Sequence, residues 1–264
     1  MLAFKMISHQ GSREHNEDSA VCVETDGNYC FVVADGLGGH SKGEVASRTV
    51  IEIFEQQFAN AKNNEDFLKN AFDKAQGEII ALQNTQNAKN GMKTTAVCLS
   101  IIDGKCQWGH VGDSRLYLFQ KNKIKIRTLD HSVPQMLVVA GQIKENQIAA
   151  HPYRNRLLRA IGTEWDSPCY DLSEETEFSQ TQDNPRKPAE TIFGRSDCLR
   201  RLPQAFLLCT DGFWELIESK LMCKFLKKTK TVDEWLNLMT AEVEKNGCGK
   251  NMDNYTAIAI RRIT

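Results

Sequence analysis

Nowhere in the 264 residues does an apolar run approach the roughly 20 residues that a membrane span requires. The longest, around residues 136–140 and 205–209, have the length of a strand or a turn. The opening MLAFKMISHQGSREHNED lacks the apolar stretch and cleavage site of a secretory signal, so a cytoplasmic chain with no membrane association is expected. An excess of either charge is missing too. Lys plus Arg is 33 and Asp plus Glu is 34, which excludes a nucleic-acid binder that relies on bulk positive charge. The nine cysteines are odd in number and none stands in CxxC spacing, so neither a disulfide framework nor a zinc site is indicated. Most lie inside apolar runs such as Val21-Cys22-Val23 and Leu207-Leu208-Cys209, where cysteine acts as a small buried apolar residue. None begins a CxxxxxR phosphate loop. The glycine-rich stretch GLGGHSKG fits neither GxGxxG nor GxxxxGK[ST], which removes a nucleotide-binding loop. Proline is scarce, and three of the six (Pro185, Pro188, Pro203) fall in the polar stretch 173–203, expected to be irregular surface chain.

What is present is enough for a core: 41% hydrophobic residues against 25% charged. Apolar runs at 19–24 and 29–34 flank Asp26-Gly27, a hairpin signal. A helix is expected from about Gly43, with Ala46, Val50, Ile53, Phe54 and Phe58 on one face. Another is expected over 65–83, with Leu68, Phe72, Ala75, Ile79 and Leu82 as its stripe. Strands return at 94–102 and 105–111 around Asp103-Gly104, and at 115–119 and 123–127 around Lys121-Asn122. Residues 133–143, 145–150, 213–226 and 232–245 read as helical, and 205–209 and 255–261 as strands. Strands joined by tight turns pair antiparallel, and the helices come in groups, so the chain is α+β rather than doubly wound.

Four Asp-Gly dipeptides occur, and two are explained by hairpins. The other two, Asp35-Gly36 and Asp211-Gly212, end buried strands that no return strand follows. Glu17 and Asp18 precede a strand, Asp113 follows one, and Asp253 precedes the last. Each acid alone is explained as a turn former or helix cap. Together, on rigid strand ends, they would form an oxygen-rich pocket. Clustered carboxylates repel unless cations neutralise them. Hard ions such as Mg²⁺ or Mn²⁺ suit all-oxygen sites, and two of them ~3.5–4 Å apart can share a hydroxide suited to in-line attack on phosphorus.

Eight motifs stand in order: RxxNED (Arg13, Asn16, Glu17, Asp18), ADGLGGHxxGEVAS (34–47), TT (94–95), HVGDSRLY (110–117), DHS (130–132), RNRLLRAIG (154–162), LLCTDGFWE (207–215) and DNYTAIAI (253–260). With this ordered set the chain resembles, over nearly its whole length, the metal-dependent protein phosphatases of the PPM, or type-2C, family in a minimal bacterial form. The resemblance implies one catalytic domain over 1–264, an αββα sandwich of two antiparallel sheets flanked by helices. It implies two Mn²⁺ or Mg²⁺ ions and a weaker third. Asp35 would bridge the pair, Asp211 and Asp253 would complete the first site, and the Gly36 carbonyl would bind the second. Asp18 and Glu17 would act largely through water. Asp113, with Asp211, would line the third site, with Glu215 a candidate contributor. Arg13 would bind the substrate phosphate, a role suited to a bidentate guanidinium.

The activity so implied is serine/threonine protein phosphatase, by direct attack of metal-bound hydroxide on phosphoserine or phosphothreonine. Phosphorylated proteins would be its substrates, an opposing kinase its counterpart, and the monomer its working form. Two other readings stay open: a non-catalytic binder of phosphoproteins on the same fold, and a phosphohydrolase for small molecules. Leu37 stands where many eukaryotic members carry a histidine proposed as general acid, so no general acid is assigned. His40 is read as loop packing, and the four tryptophans as core or lid packing. Residues 141–170 correspond to the family's flap, whose Arg154, Arg156 and Arg159 either steer an acidic phosphopeptide or cover the flap. Residues 183–203 are extra length, and Pro203-Gln204-Ala205 replaces the usual Gly-Asp before the 205–209 strand.

Overall fold

The computed structural model describes residues 2–38, 42–88, 91–165, 168, 170–177 and 204–263. His40, Cys169, Cys198 and most of the proline-bearing stretch lie outside the described residues. The chain opens with β1 (Leu2–His9), β2 (Asp18–Thr25) and β3 (Asn28–Leu37), followed by helices α1 (Lys42–Phe58) and α2 (Asn64–Thr85). Next come β4 (Lys93–Thr94), β5 (Ala96–Ile102), β6 (Lys105–Val111), β7 (Arg115–Gln120) and β8 (Lys123–Arg127). Helix α3 (Val133–Val139), a 3-10 turn (Glu145–Gln147), β9 (Asp171–Leu172) and β10 (Thr176–Glu177) form the middle of the chain. The last elements are β11 (Ala205–Cys209), α4 (Asp211–Trp214), α5 (Ser219–Lys228), α6 (Val232–Gly247) and β12 (Tyr255–Arg262).

All three expected hairpins close on two residues with positive φ: Asp26 and Gly27 at 52° and 77°, Asp103 and Gly104 at 52° and 74°, Lys121 and Asn122 at 51° and 57°. Such turns match the right-handed twist of antiparallel strands. The strands assemble into two antiparallel sheets. One has the order β1-β12-β11-β7-β8; the other runs β10-β6-β5-β3-β2, with β4 added on β3 and β9 on β6. Phe31, Val33, Val97 and Leu99 of one sheet meet Leu116, Phe206, Leu208 and Ile258 of the other in a central apolar layer. The alternate residues of β3 and β5, Cys30, Val32 and Cys98, pack under α1 and α2 with Val50, Phe54, Leu68 and Phe72. On the far side Leu207, Cys209, Ala257 and Ala259 pack under α4, α5 and α6 with Phe213, Trp235 and Met239. The α+β class and the αββα sandwich follow from this period-2 alternation, which buries both faces of each sheet.

Several expectations about elements change. Strand β1 was not anticipated: as an edge strand on β12 it leaves Lys5 and Met6 exposed, so no alternation marks it. The expected helix 213–226 is two helices, α4 and α5, although no Gly or Pro separates them. Trp214 and Ile217 both pack into the core and the chain turns extended at Glu218, so packing overrides helix propensity there. The 94–102 strand breaks at Thr95, whose N–H donates to the Asp35 carbonyl and whose hydroxyl oxygen accepts the Asp35 N–H. Finally, 133–143 is helical only to Val139 and 145–150 only as one 3-10 turn, while Thr176 and Glu177, expected to be irregular, pair with β6.

Candidate active site

The ends of strands from both sheets meet around a cavity of about 560 Å³ whose lining includes Arg13, Glu17, Asp35, Gly36, Asp113, Asp211 and Asp253. The structure therefore gathers the expected site residues, with one distinction. Asp18 is not on the cavity wall. It sits directly across the β2–β3 ladder from Asp35, buried, with one carboxylate oxygen accepting the Thr210 hydroxyl at 2.9 Å. Its other oxygen is buried without a partner among the described residues.

Each acid is fixed through its backbone. Asp35 is locked to Thr95: its N–H donates to Thr95 Oγ1 at 3.0 Å, and its carbonyl accepts the Thr95 N–H at 2.9 Å and the Thr94 hydroxyl at 2.8 Å. The Gly36 N–H donates to the Glu17 carbonyl at 3.1 Å. A side chain at Gly36 would start 2.2 Å from the Gly43 carbonyl oxygen, so only glycine fits where α1 crosses β3. Asp211 begins α4, and a Cβ on the neighbouring Gly212 would lie 2.1 Å from the Asn254 carbonyl oxygen. Asp113 has its carbonyl held by the Trp214 indole N–H at 3.0 Å. The Arg115 guanidinium lies 3.3 Å from the centre of the Trp214 ring and clasps Asp130 through two hydrogen bonds of 2.6 and 2.7 Å.

Residues that sequence reasoning passed over do much of this positioning. Asn254 accepts the Glu17 N–H at 2.9 Å and donates to the Gln10 and His15 carbonyls at 2.7 and 2.9 Å. It thereby ties the segment bearing Arg13 to the end that bears Asp253. Thr210 accepts the Thr256 N–H at 3.0 Å while donating to Asp18. Both lay inside quoted motifs, and a polar residue beside an acid at a strand end was the available signal. Trp214, read as packing, also holds Asp113. His15, Asn155 and Asn251 line the cavity as well.

The electrostatics are those of acids crowded out of water. Burial pushes Asp18 up to about 7. Asp211 is pushed up to about 6 by burial and Asp253, and drawn partly back by the Gly212 amide and a hydrogen bond with Asp35. Asp35 and Asp113 are held well above the usual carboxylate range by burial and then by Asp211. Burial raises Glu17, and burial with Asp211 raises Glu215 to about 7. Arg13 offers a cation to the cluster, at 2.6 Å from Asp253. Such a group cannot ionise fully on its own. The all-oxygen donor set of Glu17, Asp35, the Gly36 carbonyl, Asp113, Asp211 and Asp253 fits hard divalent ions.

A separate group, His110, His131 and Asp171, does not fit a metal. His131 Nδ1 accepts the Gly112 N–H at 3.2 Å, so its proton sits on Nε2 and faces Asp171 at 3.2 Å. His110 Nε2 is committed to the Leu129 carbonyl at 2.8 Å. Of the three arginines in 154–159, Arg154 pairs with Glu215 at 3.3 Å, Arg159 pairs with Asp171 at 3.2 Å, and Arg156 lies over the Tyr153 ring.

Comparison with known proteins agrees with this geometry. The family description Protein phosphatase 2C matches residues 7–254. The chain is 29% identical over 257 residues to the serine/threonine phosphatase stp of Listeria monocytogenes, covering 95% of this chain and 91% of that one. Its fold superposes on the serine/threonine phosphatase Stp1 of Staphylococcus aureus with a TM-score of 0.81 at 24% identity, covering 100% and 96% of the two chains. It also superposes on the catalytic domain of the phosphatase PstP in complex with two manganese ions, with a TM-score of 0.76 at 23% identity, over 100% and 99%.

Proposed function

The chain belongs to the protein phosphatase 2C family, and from that premise we propose a metal-dependent serine/threonine protein phosphatase acting on phosphorylated proteins. The observation that carries this reading is the convergence of Asp35, Asp113, Asp211 and Asp253 on one cavity beside Arg13. Asp35, Asp211 and Asp253 would hold one Mn²⁺ or Mg²⁺ ion, Asp35 and the Gly36 carbonyl a second with Glu17 and Asp18 behind them, and Asp113 with Asp211 a weaker third. When bound, such ions supply a low-pKa water for attack on phosphorus and take up charge on the phosphoryl oxygens.

The chain's own residues do the rest. Arg13 exchanges its hydrogen bond with Asp253 for two phosphate oxygens, which its planar fork matches. Asp18 stays beneath the wall, oriented by Thr210 and directly across the β2–β3 ladder from Asp35. No cysteine lines the cavity among the described residues, so a covalent thiol route has no nucleophile there. The same fold without catalysis is disfavoured by the complete acid set. Residues 141–170 act as the flap of a single catalytic domain, since Asn155 and Leu157 reach the cavity wall. We place the enzyme in the cytoplasm as a monomer opposed by a serine/threonine kinase; no helix among the described residues is long and apolar enough to cross a membrane. Turnover of p-nitrophenyl phosphate with Mn²⁺, lost with EDTA, tests the reading. Its absence at every metal concentration refutes it.

A further inference from the structure

The cavity that gathers the carboxylates continues beyond them. Arg13, Asn155, Asp211 and Asp253 line both it and a chamber of about 400 Å³. Ala149, Glu215, Leu216 and Lys250 line both that chamber and a further hollow of about 1100 Å³. The three spaces share walls and make one groove, open to solvent, with the acids at one end.

The chemistry changes along it. At the far end Ile124, Leu129 and Leu216 present apolar surface, beside the buried Tyr117, Trp214 and Ile217. Leu129 is 53% exposed there, a large apolar side chain left in water at the end of the groove away from the acids. The charged groups of the same walls are mostly satisfied within the protein. Arg115 and Arg127 pair with Asp130, Glu145 pairs with Arg127, and Glu215 pairs with Arg154. Glu218, Lys220 and Lys250 add one negative and two positive charges. The far hollow thus makes little demand for a charged guest and offers an apolar side chain a way out of water.

Resting on the phosphatase reading above, we infer that this groove holds the polypeptide of a phosphoprotein substrate. The far hollow seats one large apolar side chain at a fixed distance in sequence from the phosphoresidue. Continuity with the catalytic cavity selects this occupant, because a chain whose phosphate sits by Arg13 has its neighbouring residues in the groove. Glu215 and Arg154, joined at 3.3 Å, form the neck between the two ends.

The test is a set of phosphothreonine peptides carrying a single Leu or Phe at successive positions on either side of the phosphoresidue, each with its Ala counterpart. The quantity read is the ratio of kcat/KM for the apolar peptide to that for its Ala partner, within each protein variant. Ratios cancel any general change in turnover. In the wild type one position gives about tenfold, equivalent to about 1.4 kcal/mol, and the ratio falls to near one in Leu129→Glu. Ala149→Trp, which narrows the passage into the hollow, is read in the same way should Leu129→Glu not fold. A wild type that hydrolyses p-nitrophenyl phosphate but gives ratios near one at every position overturns the groove alone. A tenfold ratio that survives the variant overturns it too. A wild type inert towards p-nitrophenyl phosphate with Mn²⁺ overturns the phosphatase reading and the groove with it.

Discussion

Arg13 and Asp253 stand 240 residues apart in the chain, and the guanidinium of one lies 2.6 Å from the carboxylate of the other. The residue expected to hold the phosphate is therefore engaged with a residue expected to hold the metal. Burial is modest on both sides, at 49% and 41% side-chain exposure, so the pair exchanges readily with solvent or ligand. Arg13 acts as a resident cation for the cluster.

Replacing Arg13 by Ala accordingly has two effects of opposite sign. Loss of charge-assisted hydrogen bonds to phosphate, about 1.5–3 kcal/mol, raises KM for p-nitrophenyl phosphate roughly tenfold to a hundredfold. Release of Asp253 tightens Mn²⁺ binding, measured by calorimetry. Arg13→Lys keeps the charge but loses the planar fork, and recovers metal affinity to the wild-type value without recovering KM.

Asp35→Asn and Asp211→Asn abolish turnover and leave the fold intact. Of the two metal-free variants, Asp211→Asn melts at or above the wild-type temperature at pH 8, because Asp211 is a source of the repulsion that raises Asp35 and Asp113. Mn²⁺ then stabilises them less than it stabilises the wild type. Scanning calorimetry with EDTA and with Mn²⁺ checks both statements, and wild-type turnover in Asp211→Asn contradicts the proposed site.

The metal-free protein gains stability from the cluster as pH falls. For an acid whose folded pKa is raised, the stabilising contribution is complete below the unfolded value near 3.9. It is lost as pH rises through the folded value, about 6 for Asp211 and about 7 for Asp18. Buried His110, lowered to about 4, works the other way below pH 6.5. The distinguishing quantity is therefore the difference between the wild type and Asp18→Asn: in EDTA, their melting temperatures converge between pH 8 and pH 5. Added Mn²⁺ stabilises the wild type more at pH 8 than at pH 5, since protons compete for the same oxygens.

Asn254→Ala leaves the Glu17 N–H and the Gln10 and His15 carbonyls without their partner. The expected loss is roughly 2–4 kcal/mol, read from the denaturant midpoint. Asn254→Asp keeps the acceptor for Glu17 but not the two donors, and falls between the two.

The acids were legible because each one interrupts or bounds an apolar β run, and strand ends can be found by periodicity. Asp35, Asp113, Asp211 and Asp253 reach one cavity for that reason. The supports were not legible. Thr210 meets Asp18 across 192 positions and Asn254 meets Glu17 across 237, and no local pattern encodes a partner so distant. Strand β1 stayed hidden because an edge strand buries too little to alternate, and the α4–α5 break because Ile217 is turned by what it packs against. The depth of Asp18 was likewise invisible: it precedes Ser19 as a turn former would, yet it is the first residue of β2 and lies opposite Asp35.

Strand β12 occupies an interior place in its sheet, between β1 and β11, and Asp253 immediately precedes it. During synthesis β1 therefore leaves the ribosome with no neighbour to pair with, and waits for a strand made some 250 residues later. A chain cut short before β12 therefore lacks both the strand behind Asp253 and the partner of β1, and is expected to be inert rather than weakly active.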